Sequence, residues 1–197
     1  QKTLELAKTN NVSVGAHPGY PDLVGFGRRS INCSNDEIIA LVTYQVAAID
    51  GVAKSLGLEL EYVKPHGALY NDMMVNKNVR EAILTALSNY FKPLKLMLQA
   101  TPQIDQHRAE AKPYGIEILS EAFADRCYAD DGKLLARNKV GAVHNKEKML
   151  AQVKQLKDKG SVTTVNGSIL SLNADSLCVH GDNIEGVQAI EAIRELI

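Results

Sequence analysis

Leu58-Glu59-Leu60-Glu61-Tyr62-Val63-Lys64-Pro65-His66-Gly67-Ala68-Leu69-Tyr70-Asn71 is the stretch that decides how the chain is read. Leu58 to Lys64 reads as a strand, and Pro65 cannot donate a ladder hydrogen bond, so the polar run His66 to Asn71 is expected just beyond the strand's carboxyl end. Upstream, Ser34 with Glu37 forms a capping-box pattern. Ile38, Leu41, Val42, Ile49, Val52, Ala53 and Leu56 then repeat at helical spacing until Gly57, one long amphipathic helix. Before that helix Val12 to Ala16 reads as a short strand ended by His17-Pro18. Strand, crossover helix, strand is the unit from which a parallel sheet is built.

The alternation continues outward in both directions. Leu4, Leu6 and Ala7 look like the end of a helix stopped at Asn10-Asn11, and Val79, Ala82, Ile83, Ala86, Leu87 and Tyr90 share one face of another. Leu94 to Leu98 is the next strand. Thr101-Pro102 supplies an N-cap and a first-turn proline for a helix to about Lys112, and Ile116 to Ser120 is a strand again. Glu121 to Val143 lacks periodicity, and a loop of that length in a compact domain is expected to be functional. Met149, Leu150, Val153 and Leu156 place a helix before Gly160. Val162 to Val165 and Ser168 to Leu172 flank Asn166-Gly167, a hairpin signal. Leu177 to His180 is the last core strand, followed by a helix through Ile190, Ile193 and Leu196. The pattern predicts an α/β fold of parallel strands, an open doubly wound sheet or a barrel.

The 197 residues fit one domain spanning 1–197, with 45% hydrophobic and 23% charged residues, ordinary usage for a chain that folds by core burial. A net charge of −1 and the lack of any Lys/Arg cluster with interleaved aromatics argue against nucleic acid or an anionic membrane as partner. Cys33, Cys127 and Cys178 are an odd count without CxxC or zinc-type spacing, which suits a reduced, cytoplasmic protein. No apolar run is expected to approach membrane-spanning length. The chain opens Gln1-Lys2-Thr3-Leu4, already in a helix-like pattern and without Met, so the natural start is expected upstream.

In parallel α/β folds ligands bind at the carboxyl ends of the strands. Those ends carry His17, then Lys64 and His66, Gln99, Glu121, and His180 with Asp182, whereas the opposite ends begin with Val12, Leu58, Leu94, Ile116 and Leu177. A single polar residue at a strand end is most often an ordinary hydrogen-bonding group. One-sided polarity at every strand points to a shared site. Gly15 to Arg29 combines four glycines, His17, Asp22 and Arg28-Arg29: the arginines suit a carboxylate or phosphate, and His17 with Asp22 suits proton relay or metal ligation. A buried Lys64 is either a poised amine, an anion clamp or the partner of a carboxylate such as Glu121 or Asp125. Asp182 or Asn183 suits the N-cap of the last helix. No GxxxxGK[ST], GxGxxG or HExxH motif occurs.

GAHPGYPDLVGFGRR at Gly15 to Arg29, VKPHGALYN at Val63 to Asn71, EAFADRCYADDGKLLAR at Glu121 to Arg137 and CVHGDN at Cys178 to Asn183 together resemble the LamB/YcsF family. The resemblance implies an irregular (β/α) barrel of the glycoside hydrolase/deacetylase type and ATP-dependent opening of the lactam 5-oxoproline to L-glutamate, together with two other 5-oxoprolinase subunits. It also implies Asp-Asn-Cys-Asp and His-Ala-Gly-Asp segments on strands that would precede Gln1. The expected site is His17, Lys64, His66, Glu121 and His180 as acid/base, clamp or metal-binding groups. Asp22, Arg28, Asn71, Asp125, Arg126 and Asp182 are expected to contact substrate. ATP is the expected co-substrate. A divalent metal on His17, His66 or His180 would instead suit a deacetylase-like hydrolase of C–N bonds, and a third reading is a non-catalytic substrate-binding subunit.

Overall fold

Helix and strand alternate along residues 1–197, all of which the computed structural model describes. In chain order the elements are α1 (Lys2–Thr9), β1 (Val14–Ala16), α2 (Asn35–Ser55), β2 (Leu60–Val63), α3 (Gly67–Val75), α4 (Lys77–Ser88), β3 (Lys95–Gln99) and α5 (Ile104–Ala111). After a 3-10 turn at Lys112–Tyr114 follow β4 (Ile118–Phe123), α6 (Lys146–Lys159), β5 (Ser161–Thr163), β6 (Ile169–Ser171), β7 (Ser176–Cys178), α7 (Ile184–Gln188) and α8 (Ile190–Leu196). The hydrogen-bonding order of the main sheet is β1-β2-β3-β4-β7, and β5 with β6 forms a separate antiparallel hairpin. Two compact units result: Gln1–Leu98 with His107–Leu119, and Gln99–Gln106 with Ser120–Ile197.

In the first unit β1 runs parallel to β2, pairing Gly15 with Tyr62 and Ala16 with Val63, and β2 runs parallel to β3. The expected capping box starts α2: the Ser34 hydroxyl accepts from Glu37 N at 3.3 Å, and Ser34 N donates to Glu37 Oε2 at 2.7 Å. Ile38, Val42, Val46 and Ala53 recur at helical spacing and are buried, because α2 packs against α4, β1 and β2. By length and composition α2 could cross a membrane, which corrects the expectation that no segment approaches that length. Toward its end α2 buries Asp50, whose carboxylate accepts from Tyr90 Oη at 2.9 Å and Lys92 Nζ at 2.7 Å. Burial alone would raise that carboxyl, but these bonds outweigh it and leave it below the ordinary range.

The second unit closes around Ala124, Met149, Val153, Ala189 and Ile193, with Leu150, Leu177, Val179 and Leu196 packed on them. β4 pairs with β7 in parallel, Glu121 opposite Ser176 and Phe123 opposite Cys178. The Asn166-Gly167 turn is present, with Gly167 at a φ of 85° that a side chain would strain.

Three expectations need correction. The run after Pro65 is helical from Gly67, since Leu69 and Met73, four residues apart, are both fully buried. β4 extends past Ser120 to Phe123 because β7 offers pairing partners that far, so Glu121 lies inside a strand instead of beyond its end. The last helix is two short ones that meet at the buried Ala189.

Replacing Ser34 with Ala removes the acceptor for Glu37 N and should destabilise the protein by about 1 kcal/mol, seen as a lower urea midpoint with unchanged m. An unchanged midpoint would show that the cap contributes nothing here.

Candidate functional site

Past its last paired residues the β1–β2 ladder continues as single hydrogen bonds, Lys64 N to Ala16 O at 2.9 Å and His66 N to Pro18 O at 2.8 Å. This continuation sets the two strand-end histidines side by side. His17 Nδ1 lies 2.6 Å from the Lys64 carbonyl oxygen, His17 Nε2 lies 3.0 Å from His66 Nδ1, and His66 Nε2 lies 2.7 Å from the Phe26 carbonyl oxygen. The imidazoles meet edge to face, and the Phe26 ring stands nearly perpendicular to His66. Phe26 sits at a φ of 54°, a conformation a non-glycine residue adopts only when its surroundings hold it there; here it aims the carbonyl at His66. Gly67, also at positive φ, lets Gly27 O approach and accept from Ala68 N, and a Cβ at Gly67 would collide with that oxygen.

The loop that runs from His17 to the Phe26 carbonyl is closed by Asp22. Its carboxylate, 5% exposed, accepts from Gly25 N at 2.9 Å and from the Arg29 guanidinium through both Nε and Nη2. The Arg29 fork first, and the Gly25 amide with it, hold the Asp22 carboxyl down to about 2 against the opposing effect of burial. Asp22 thus shapes the loop and is not an open substrate ligand. Gln45 on α2 brackets Gly19 from both sides, accepting from its N at 3.1 Å and donating to its O at 2.9 Å. His17, Tyr20, Asp22, Phe26, Gln45 and His66 line an open pocket of about 300 Å³. Lys64 stands at the end of β2 with Nζ 6.0 Å from the Tyr70 ring centre, and Arg28 lies over Phe26 at 5.4 Å. Asn71 is exposed on α3 and does not line the pocket.

In the second unit β4 leads into Asp125 and β7 into His180. The Asp125 carboxylate, 1% exposed, faces His180 Nδ1 at 3.0 and 3.1 Å, accepts from His180 N at 3.3 Å and is reached by Asn183 Nδ2 at 3.4 Å. Burial pushes this carboxyl up, but the His180 and Asn183 contacts outweigh it and leave it below the ordinary range. A carboxylate only accepts, so His180 Nδ1 carries a proton, and Nε2 is turned away from Asp125. Phe123 stacks on the imidazole at 5.6 Å. Asp125 therefore positions His180, in place of the direct substrate contact expected of it. Glu121 is 1% exposed within β4.

Arg126 also differs from the substrate contact expected of it. It is buried, and its guanidinium donates to two carbonyls of the following loop, Leu135 O at 2.6 Å and Ala142 O at 3.2 Å. Burial first and then the nearby Arg137 charge lower its affinity for a proton. Asp182 pairs with Arg137 at 3.2 Å on the surface, and Asn183 caps α7 by accepting from Gly186 N. Gln152 has a part that the sequence reading missed: from α6 it donates to Phe123 O at 2.7 Å and Arg126 O at 2.9 Å, fixing the turn that carries Asp125. Its one signal is a polar residue within the stripe Met149, Val153, Leu156. His144 Nε2 lies 3.2 Å from Gln152 Oε1, and burial pushes its imidazole toward the neutral form.

The model of the LamB/YcsF family matches residues 1–197. The chain belongs to the LamB/YcsF family. Among curated family members it is similar to the A-type 5-oxoprolinase subunit of Vibrio campbellii, 45% identical over 98% of this chain and 76% of that protein. It is also similar to the A-type 5-oxoprolinase subunit of Pseudomonas fluorescens, 44% identical over the whole of this chain and 79% of the other. Among solved structures, the lactam utilization protein from Thermus thermophilus shares 35% identity with a TM-score of 0.88, covering 98% of this chain and 78% of its own. The expected family and the α/β fold class are borne out by these likenesses.

Because Arg29 is the largest influence on Asp22, replacing it with Met should return the Asp22 carboxyl from about 2 toward the ordinary value near 3.9, read by carbon NMR. The sign follows: a depressed carboxyl stabilises the fold above its unfolded value, and that contribution disappears as pH falls from there toward about 2. A variant carboxyl that still titrates near about 2 would place the cause elsewhere.

Proposed function

We propose that this chain is a component of an ATP-dependent 5-oxoprolinase, opening the lactam 5-oxoproline to L-glutamate in the cytoplasm together with two other subunits. The observation that carries a catalytic part for the chain itself is the Asp125–His180 pair. A buried carboxylate that fixes the Nδ1–H tautomer and leaves Nε2 on the other side of the ring is the arrangement of an oriented general base. Family membership and the names of the similar proteins support the substrate class.

Amide resonance makes a lactam carbonyl a weak electrophile, and ATP, as co-substrate of the assembly, would activate it at oxygen. Within this chain, Arg29 is engaged by Asp22, Arg126 by main-chain carbonyls and Arg137 by Asp182. These residues do not assemble a triphosphate cradle, so the nucleotide is assigned to the assembly as a whole. Nor do the histidines fit a divalent metal: His17 and His66 face each other and two carbonyls, His180 faces Asp125, and no group of three suitable donors is assembled. What remains for this chain is proton management. His180 Nε2 takes a proton from water as its oxygen bonds to the ring carbonyl carbon, and that proton passes to the ring nitrogen as the C–N bond breaks. Opening the ring at the phosphorylated oxygen leaves an acyl phosphate, and its hydrolysis to carboxylate and phosphate takes a second water, so two waters are consumed for each ATP split to ADP and phosphate.

His180→Gln in the full-length protein, assayed with its partner subunits, should lower ATP-dependent glutamate release about 10²–10⁴-fold. Asp125→Asn should also lower it and distort the pH–rate profile, because the amide can stabilise the wrong tautomer. Wild-type rates from folded variants would sink the assignment of the base.

A further inference from the structure

The His17–His66 pair can be counted proton by proton. Its four ring nitrogens make three contacts, and the two outer ones are to main-chain carbonyl oxygens at 2.6 and 2.7 Å. A carbonyl oxygen only accepts, and a bare ring nitrogen that close would set lone pair against lone pair, so His17 Nδ1 and His66 Nε2 must both carry hydrogen. The central contact, His17 Nε2 to His66 Nδ1 at 3.0 Å, needs one further proton between them. Three protons on four nitrogens is one more than two neutral imidazoles hold. The short outer distances are those of charge-assisted bonds.

From this count we propose that His17 and His66 form a single imidazole–imidazolium pair with one shared proton, a fixed positive charge that makes the adjoining pocket a subsite for a small carboxylate with a compact apolar body. All three N–H groups point into the protein or at the partner ring, so the pair acts by its charge and not as a proton donor to the ligand. This separates it from His180, which holds Asp125 at Nδ1 and has Nε2 on the other side of the ring. The carboxylates on the surrounding loop and helix are already engaged within the protein. Asp22, on the loop after β1, is neutralised by Arg29, and Asp72 of α3 is directed to Tyr20 Oη at 3.0 Å and Ser30 Oγ at 2.9 Å. Lys64 follows β2 and Arg28 lies over the Phe26 ring, neither lining the pocket, and α2 presents the neutral Gln45. At its rim the pocket has exposed Leu23 and Phe26, surface that suits a methylene ring. The inference rests on the lactam reading only in identifying the carboxylate as that of 5-oxoproline.

Histidine ring nitrogens of the full-length protein, labelled with ¹⁵N and assigned by the loss of signals in His17→Gln and His66→Gln, count the protons directly. At about pH 7.5 a free imidazole is roughly nine-tenths neutral. Three protonated nitrogens on the pair are expected there, and two would overturn the shared proton. Ligand titration by NMR then compares 5-oxoproline and cyclopentanecarboxylate with 2-pyrrolidinone, the same lactam without a carboxylate. Both carboxylates should perturb the pocket with Kd about tenfold or more below that of 2-pyrrolidinone. Equal affinity for all three would overturn the subsite. Binding of cyclopentanecarboxylate without any glutamate release by the complete assembly would support the subsite and sink the reaction assigned above. A two-proton count with normal glutamate release would do the reverse.

Discussion

Two main-chain hydrogen bonds beyond the last paired residues of β1 and β2 govern the chemistry of the first unit. Lys64 N to Ala16 O and His66 N to Pro18 O keep the chain segments in parallel register where the side chains change from apolar to polar. Without them His17 and His66 would leave their strands independently, and an imidazole–imidazole contact would cost the ordering of two mobile side chains. With them the contact follows from backbone geometry. Pro18 and Pro65 suit this region because each lacks a donor that the ladder would otherwise demand. The loop that returns to His66 is in turn held by the Asp22–Arg29 fork, so the carbonyl of Phe26 meets His66 from a conformation that loop closure enforces.

How much of this is legible in the sequence depends on the range of the interaction. The capping box at Ser34–Glu37, the long stripe of α2, the strand before Pro65 and the Asn166-Gly167 hairpin are local patterns, and each is where the residues predict it. α3 is obscured because its buried Leu69 and Met73 overlap a polar run that draws attention as a site. Histidines at strand ends are also readable, since strand polarity places them. What each carboxylate does is not. Asp22 and Asp125 both look like ligands in one dimension, and only the folded loops show that Arg29 and His180 already engage them. Phe26 is invisible because it acts through its carbonyl, although the glycines on either side mark a backbone that must bend sharply.

The second unit reaches a comparable end by different means. Its long turn carries no named helix or strand between Phe123 and Asn145, yet side chains tie much of its backbone down. Gln152 holds the carbonyls of Phe123 and Arg126, Arg126 holds those of Leu135 and Ala142, and Tyr128 Oη accepts from Phe123 N at 2.9 Å. A buried arginine engaged by carbonyls is costly to desolvate, and its retention is explained by the length of loop it organises. Because the same turn delivers Asp125, rigidity of the loop becomes rigidity of the imidazole at His180.

Histidine is placed in two contrasting settings by these constraints. His180 has a carboxylate on one nitrogen, which supplies a full negative charge beside the ring and is not bound to the other nitrogen. A proton gained at Nε2 is then met by the Asp125 charge, so that ring is suited to gaining and losing a proton during a reaction. His17 and His66 have carbonyl dipoles at both ends and each other in the middle. Removing their shared proton would force a lone pair against a carbonyl or leave the ring–ring contact without hydrogen, so that proton is structural. The difference lies in the acceptor: a carboxylate tolerates either state of the ring it orients, whereas a pair of fixed carbonyls selects one.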